Sequence, residues 1–302
     1  MATFREESED PKDWASEIMM DSHLSILVEG DGDELLYEKF FDEEVCQIEV
    51  MNGKENLLEV LSLINAQNSK AAIAIIDADL DRITGAYMKY PNNIFLADKH
   101  DADTMTFLSE AYFRVAKEYF SKTKVSKKED LATVRDVIIQ IEIPLALLRV
   151  YDKEKGTHFA FKPNSDGDKP FPYGGFIESN KNTLSYKGDK DLIRCACGYN
   201  SDQGRGMDRN EIQKGILEIG KREYPLEHIL HGHDLMHIMA LSLKRYGKTN
   251  KMKSTNEDIE TSFRLAYSID EFSDTDLYTS LELYARTNTI YFLKGMDVQA
   301  ES

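Results

Sequence analysis

The sequence predicts an α/β protein in which a parallel sheet is flanked by helices and followed by a mainly helical C-terminal half. Two observations lead to this fold class. Through the first third of the chain, short runs of small and β-branched apolar residues alternate with segments of helical periodicity, which is typical of strand–helix–strand units. Beyond residue 121 these runs are replaced by longer amphipathic segments and one turn-rich stretch, which favours a helical region.

The elements of the first third follow from their apolar patterns. The predicted strands cover residues 24–28, 47–51, 71–76 and 93–96. The predicted helices cover residues 33–41, 54–67 and 103–120. Each strand run is too short for an independent helix, and each helix carries an apolar stripe on one side. Residues 1–21 are polar and charged and form either a loose arm or a helix docked onto the body.

The second half begins with an amphipathic helix predicted from Lys127 to Ile143. We expect Pro144 to end it, because proline has no N–H to donate along the helix. Residues 151–175 hold three of the seven prolines and are expected to form turns and short strands. The predicted tail helices cover residues 208–221, 233–246, 255–267 and 275–291.

These elements divide the chain into three regions. Residues 1–21 form the N-terminal arm, residues 22–125 an α/β domain, and residues 126–302 a mainly helical region with a turn-rich β segment near 151–190. A length of 302 residues suits one large or two modest domains.

The charge of the chain is strongly acidic and unevenly spread. The net charge is −17, and residues 1–60 hold 18 acidic and 4 basic side chains. This balance excludes a generally basic nucleic-acid binder. Residues 238–253 form a local exception, with five basic side chains and no acidic one. A cation-filled acidic site beside such a strip remains compatible with a phosphodiester substrate.

The sequence also indicates the compartment of the protein. No apolar run approaches the roughly 20 residues that a membrane span needs, and the acidic N-terminus lacks the apolar segment of a signal peptide. The three cysteines are an odd number without a disulfide framework. We therefore expect a reduced, cytoplasmic protein with no membrane attachment.

Two short acidic segments begin in the last two residues of predicted strands and continue into the loops that follow. The first is Leu-Val-Glu-Gly-Asp-Gly-Asp at residues 27–33, and the second is Ile-Ile-Asp-Ala-Asp-Leu-Asp at residues 75–81. In parallel sheets, ligands bind beyond the carboxyl ends of the strands. Carboxylates gathered there repel one another unless a cation holds them, and carboxylate oxygens suit Mg²⁺ or Mn²⁺. The sequence therefore predicts a divalent-metal site.

The order of these residues resembles the Toprim pattern, in which a strand ending in Glu-Gly precedes a later strand ending in Asp-x-Asp. Here the pattern is Glu29-Gly30 with Asp33, followed by Asp77-Ala78-Asp79. Roughly residues 22–120 carry the resemblance. A single such domain with a helical second half is similar to the Toprim-like effectors of bacterial anti-phage systems, those of the PARIS type above all.

The resemblance implies a Toprim-like catalytic domain that hydrolyses phosphodiesters with Mg²⁺ or Mn²⁺. It implies metal ligation by Glu29, Asp33, Asp77 and Asp79, with catalysis by Glu29, Asp77 and Asp79. Asp81 and Asp103 would lie next to these metal ligands and orient them without binding the metal themselves. Relatives often show Glu-Asn where this chain has Asp101-Ala102-Asp103-Thr104. The residues themselves leave alternatives open. Asp33 could only cap or favour the N-terminus of its helix, and Asp101 or Asp103 could cap the helix that follows.

The resemblance further implies RNA, and tRNA in particular, as the substrate. It implies an ATPase partner that restrains the effector until infection, and a homodimer as the active form. Two alternatives stay open. One is a DNA nuclease of the OLD type, and the other is a catalytically silent adaptor that binds the ATPase.

A second constellation lies near the start of a late predicted helix. His231, His233 and His237 accompany Asp234, and the spacing of His233 and His237 is typical of helical metal ligands. The alternatives are contact with substrate through His231 and His233, and a capping role for Asp234. The basic strip that follows contains Lys244, Arg245 and Lys248 and is either a phosphate-binding surface or a solvated helix end. The aromatic loop at residues 171–176 is predicted to stack bases or to form a subunit contact.

Overall fold

The computed structural model describes residues 10–162, 169–200 and 206–296. The chain divides into two compact units. The first comprises residues up to 105 together with those from 267 onward, and the second comprises residues 106–266. The first unit is therefore discontinuous in sequence, and these boundaries differ from the ranges expected from the sequence.

A parallel sheet forms the centre of the first unit. Its strands are β1 (Leu24–Val28), β2 (Cys46–Val50), β3 (Ala72–Ile76) and β4 (Ile94–Leu96). Their order is β2-β1-β3-β4, and all three pairings are parallel. Every residue of β1 and β3 is buried, as expected for central strands covered on both faces. The predicted α/β class with a parallel sheet is confirmed, and each strand boundary lies within one residue of the prediction.

The helices of the first unit pack around this sheet. They are α1 (Pro11–Met20), α2 (Asp31–Tyr37), α3 (Lys54–Ala66), α4 (Asp81–Thr84), α13 (Ile269–Ser273) and α14 (Asp276–Asn288), and α5 (Ala102–Leu108) contains the boundary between the units. Trp14 and Ile18 of α1 are buried in a core shared with α3. The described part of the N-terminal arm is therefore the docked helix, and residues 1–9 lie outside the described residues.

The C-terminal segment completes the first unit. Asp98 accepts backbone hydrogen bonds from Asp276 and Leu277 at 2.8 and 2.7 Å, which caps the first turn of α14. Phe41 and Leu293 form an isolated antiparallel bridge. The α/β unit thus needs chain from both ends of the described sequence.

The second unit is mainly helical, as predicted. Its helices are α6 (Ala111–Tyr119), α7 (Lys128–Lys155), α8 (Tyr173–Phe176), α9 (Asp189–Tyr199), α10 (Arg209–Ile219), α11 (Gly232–Tyr246) and α12 (Asn256–Ala266). The antiparallel strands β5 (Ile177–Ser179) and β6 (Leu184–Tyr186) lie in the segment where short strands were expected. The predicted helix at 103–120 is two helices, α5 and α6, and between them the Ser109 hydroxyl accepts the N–H of Ala111 at 3.0 Å.

The expectation that Pro144 ends its helix is wrong. Helix α7 continues through Pro144 to Lys155 and ends at Gly156 in the left-handed conformation. An internal proline costs about 3 kcal/mol. Helix α7 packs against α10 and α11, and Leu145 and Leu148 in the extended half are fully buried. Burying each such side chain stabilises the fold by about 1.5–3 kcal/mol, which offsets the cost of the internal proline.

Two further findings concern the whole described chain. None of its described helices is both long and apolar enough to cross a membrane. The three cysteines are free thiols, and Cys46 and Cys197 are buried.

Candidate functional site

Two predicted site residues meet where the central strands end. Because β1 and β3 are neighbours in the sheet, the residues that follow them, Glu29 and Asp77, emerge side by side. The carboxylate Oε1 of Glu29 accepts a hydrogen bond from the backbone N–H of Asp77 at 2.9 Å. Asp77 in turn accepts, through Oδ1, the N–H of Ala102 at 3.1 Å. Sheet order therefore brings together residues that are 48 positions apart.

Asp33 lies in the first turn of α2, close to these groups. Its carboxylate accepts the N–H of Gly30 at 3.1 Å, and its own N–H donates to the Gly30 carbonyl at 3.0 Å. This reciprocal arrangement fixes the turn between β1 and α2. The capping role left open by the sequence is thus present, and metal ligation by Asp33 stays a prediction.

Lys54 is a site residue that the sequence did not reveal. It is the first residue of α3, and its ammonium donates to the carboxylates of Asp79 and Asp81 at 2.7 and 2.8 Å and to the Asp77 carbonyl at 2.8 Å. A signal was available, since Gly53-Lys54 closely follows β2 and the carboxyl end of β2 lies on the same sheet edge. Gly53 has φ +116°, which requires glycine there.

Asp79 and Asp81 extend the acidic edge. Asp79 has φ +46°, a left-handed conformation that Asp tolerates better than most residues and that is enriched at functional sites. Its side chain is 49% exposed, whereas that of Asp81 is 13% exposed. Asp81 also accepts the hydroxyl of Tyr90 at 2.7 Å. Asp79 thus faces solvent, while Asp81 anchors Lys54.

Two carboxyl groups of the site, those of Glu29 and Asp77, have raised pKa values. Burial raises the pKa of Glu29 to about 7, and the negative charges of Asp79 and Asp33 add to the shift. Burial also raises the pKa of Asp77 well above its usual range, with further contributions from Asp33 and Asp101. For Lys54, burial disfavours the charged form, but the carboxylates of Asp79 and Asp81 outweigh it and raise its pKa.

The donor set suits a hard divalent cation. Glu29 and Asp77 each use one carboxylate oxygen for a backbone N–H; within the described residues the other oxygen makes no protein hydrogen bond. Oxygen ligands of this kind are preferred by Mg²⁺ and Mn²⁺. Among the described residues of the first unit, however, no three ligand atoms of His, Cys, Asp or Glu lie within 4.8 Å of one another. Carboxylate rotation or water ligands would therefore have to complete a metal site.

Replacing Lys54 with Met should destabilise the protein in EDTA by about 1–3 kcal/mol, because hydrogen bonds from a charged donor to Asp79 and Asp81 are lost. Urea denaturation followed by circular dichroism measures the change. Lys70→Met is the matched control, since Lys70 is exposed and its ammonium donates to the Asn288 side chain at 3.1 Å, a neutral acceptor. Equal losses in both variants would contradict a special role for Lys54.

Asp103 stands in the first turn of α5, where it was expected to orient the metal ligands. Of the two residues that could cap this helix, Asp101 makes the capping bond, because its carboxylate accepts the N–H of Thr104 at 2.6 Å. Asp101 therefore caps α5, and the outer role of Asp103 stays a prediction.

The second unit contains a buried ion pair around Asp234. This carboxylate is fully buried and accepts two hydrogen bonds from the Arg149 guanidinium at 2.9 and 3.0 Å. The hydroxyl of Tyr173 also donates to it, and the Arg149 guanidinium lies 4.2 Å from the centre of the Phe161 ring. The alternative in which Asp234 caps its helix is not observed, because the side chain bonds to Arg149 and Tyr173 in this buried cluster.

The structure brings two of the three histidines of the motif into contact. His231 is the N-cap residue of α11, and its N–H donates to Glu142 at 3.2 Å. The Nε2 atoms of His233 and His237 lie 3.1 Å apart. His233 also bonds through Nδ1 to Glu260 on α12 at 3.0 Å. Glu260 is 23 residues beyond His237, so the sequence motif gave no sign of it.

The basic strip is partly neutralised. Lys248 and Lys251 both pair with Glu118, at 3.7 and 3.2 Å, and the Arg245 guanidinium lies over the Tyr246 ring. Lys244 is exposed. Substrate binding by Lys244, Arg245 and Lys248 stays a prediction.

The aromatic loop is part of the core. Phe171, Tyr173 and Phe176 are at most 6% exposed and contact one another through their rings. The expected stacking on bases or on a second subunit is therefore wrong for these three side chains. Their burial follows from the formation of α8 inside the second unit.

The structure thus defines an α/β protein with a half-buried acidic site at the carboxyl edge of a parallel sheet. Comparison of the chain with models of protein families gives no match, and comparison with curated proteins gives none either. We therefore assign a function from the geometry of the site and from the motif resemblance.

Proposed function

We propose that this protein is a metal-dependent nuclease that hydrolyses phosphodiester bonds at the acidic sheet edge. The observation that supports it best is the adjacency of Glu29 and Asp77 at the ends of neighbouring parallel strands, joined by the 2.9 Å hydrogen bond. Both carboxyl groups have raised pKa values. Perturbed groups of this kind concentrate at functional sites, because catalysis needs charges that a stable surface avoids.

Each acidic residue has a role in this proposal. Glu29 and Asp77, with Asp33 and Asp79, would hold Mg²⁺ or Mn²⁺. Such a cation neutralises the phosphate and makes water a better nucleophile. Glu29, whose pKa is about 7, also suits proton transfer near neutral pH. Lys54 keeps Asp79 in place and adds a positive charge beside the phosphate position.

The motif resemblance supports a more specific biological role. On the basis of this resemblance, we propose that the chain is a toxic effector of the AriB type in a PARIS anti-phage system and that it acts in the cytoplasm. Its substrate is RNA, tRNA in particular, and it acts as a homodimer after release from an AriA-like ATPase partner. The polar, partly acidic surface of the site is compatible with a nucleic-acid substrate only when a cation is present, because phosphate and carboxylate repel each other.

A silent adaptor is the second candidate, and a specific observation favours it. Lys54 already neutralises Asp79 and Asp81 with short contacts, and three ligand atoms do not lie together in the described part of the first unit. A lysine that satisfies the acidic edge permanently would leave a binding module that associates with the ATPase without cleaving a phosphodiester.

Incubation of the purified full chain with total RNA and with supercoiled plasmid should separate these functions. With Mg²⁺ or Mn²⁺ we expect RNA cleavage that EDTA abolishes. Asp77→Asn should lower the rate at least about 100-fold, since a metal contributes several kcal/mol to the transition state. Glu55→Gln, an exposed change in the first turn of α3, is the control and should cleave normally.

Other results of the same experiment would support one of the alternative functions or contradict the proposed site. Nicked plasmid with intact RNA would support the OLD-type DNA nuclease. Binding of the ATPase without cleavage of either substrate would support the adaptor. Equal cleavage by the wild type and by folded Asp77→Asn would contradict the proposed site.

A further inference from the structure

The first turns of α11 bring two imidazole rings together. His233 and His237 are four residues apart, so they share one face of the helix. Their ring centres are 4.6 Å apart and the ring planes are inclined by 83°, with the two Nε2 atoms at 3.1 Å. In a tetrahedral zinc site with bonds of about 2.0–2.1 Å, two nitrogens lie roughly 3.3 Å apart. The pair therefore has nearly the spacing of two ligands on one metal ion.

Glu260 on α12 orients the first imidazole. It bonds to the Nδ1 atom of His233 at 3.0 Å, and with the proton on Nδ1 the Nε2 atom of His233 carries a lone pair. A carboxylate behind a ligating histidine fixes the tautomer and increases the basicity of the ring. His233 remains 32% exposed, so an ion in solution can reach it.

The second imidazole is held by the buried ion pair. His237 stacks on Tyr173, with ring centres 4.4 Å apart and planes inclined by 20°. Tyr173 is fixed through its hydrogen bond to Asp234, which Arg149 also binds. These contacts hold the His237 ring in a fixed orientation, with its Nε2 atom beside that of His233.

We propose that His233 and His237 form a binding site for a first-row transition-metal ion, with Zn²⁺ as the physiological candidate. Among the described residues of the second unit, no third His, Cys, Asp or Glu atom lies within 4.8 Å of both nitrogens, so water fills the remaining positions. Imidazole ligands favour Zn²⁺, Co²⁺ or Ni²⁺ over Mg²⁺. The site uses none of the residues of the proposed nuclease and does not depend on that function.

Titration of the metal-free full chain with Co²⁺, followed by visible absorption, tests the proposal. Millimolar Mg²⁺ is kept present to occupy carboxylate sites, and Zn²⁺ is then added as a competitor. We expect a Co²⁺ band that Zn²⁺ displaces and an affinity at least tenfold lower in His233→Gln and in His237→Ala. Glu260→Gln should weaken binding about tenfold, because it removes the carboxylate behind His233.

The controls separate this site from other ligands. His23→Ala removes an exposed histidine that bonds to Asp21 and should leave the titration unchanged. Circular dichroism verifies the fold of each variant, and His233→Gln stays informative if His237→Ala fails to fold, since His233 is partly exposed. Wild-type Co²⁺ affinity in folded His233→Gln would overturn the proposal and leave the two imidazoles as a hydrogen-bonded pair. Absence of any zinc-displaceable band in the wild type would overturn it equally.

Discussion

Glu29→Gln should abolish both cleavage and toxicity, with a loss of about 10²–10⁴-fold in rate. Glutamine has the shape of glutamate and still offers an oxygen to the Asp77 N–H. It cannot ionise, so it neither binds a divalent cation strongly nor exchanges a proton near pH 7. Growth of cells that express each form, together with cleavage by purified protein, measures the two losses.

The matched control for this change is Asp31→Asn. Asp31 is an exposed acidic residue two positions away, in the first turn of α2, and its loss should change toxicity little. A folded Glu29→Gln protein that remains toxic would eliminate the proposed mechanism. Toxicity lost in both variants would indicate that the turn, and not the Glu29 carboxylate, is what matters.

The same variant has a pH signature in the metal-free protein. The pKa of Glu29 is raised from 4.5 to about 7, so the folded chain binds this proton more tightly than the unfolded chain. The resulting stabilisation is complete below about pH 4.5 and is lost as the pH rises through 7, a change of up to about 3 kcal/mol. Relative to the wild type, Glu29→Gln should therefore gain stability between pH 5 and 8 in EDTA, measured by urea denaturation at several pH values.

Asp234→Ala should destabilise the protein by about 3–5 kcal/mol, because it leaves the Arg149 guanidinium buried without its counter-charge. Arg149 is only 11% exposed and Asp234 is not exposed at all. Tyr173 loses its hydrogen-bond acceptor in the same change. Urea denaturation followed by circular dichroism measures the free energy of unfolding.

An exposed ion pair in the same unit provides the comparison. Arg194 and Asp191 are 60% and 37% exposed, so Asp191→Ala should cost at most about 1 kcal/mol. The double variant Arg149→Leu/Asp234→Leu should recover part of the Asp234→Ala loss, because it removes both charges. A cost for Asp234→Ala as small as that of Asp191→Ala would show that the buried pair contributes little.

The strands and the sheet edge that carries Glu29 and Asp77 could be predicted, because they depend on local sequence patterns. The strands were placed to within one residue, because runs such as Ala72–Ile76 are apolar throughout and have no helical alternative of sufficient length. Glu29 and Asp77 were paired correctly at one sheet edge, since the carboxyl ends of parallel strands share an edge. This pairing needed only the order of strands and helices along the chain, because alternating strands and helices predict a parallel sheet.

What escaped prediction depends on packing between distant segments. Pro144 was expected to end α7, but the burial of Leu145 and Leu148 outweighs the local penalty. Asp234 is of a residue type that often caps helices. Its side chain instead pairs with Arg149, which lies 85 residues earlier in the chain, and local sequence could not show this. Lys54 follows a glycine and resembles an ordinary first-turn residue. Its three contacts arise only when β2 and β3 lie in one sheet.

The two-part construction of the first unit affects how this protein comes into being on the ribosome. Residues 10–105 emerge first, and the segment from 267 onward, which supplies α14 and the Leu293 bridge, is made only after the whole helical unit. Domains generally fold as units during synthesis, so the first unit is completed only after the second unit has been made. A nascent chain that stalls before residue 267 lacks the segment that bonds to Asp98 and bridges to Phe41, and its sheet then stands without α14.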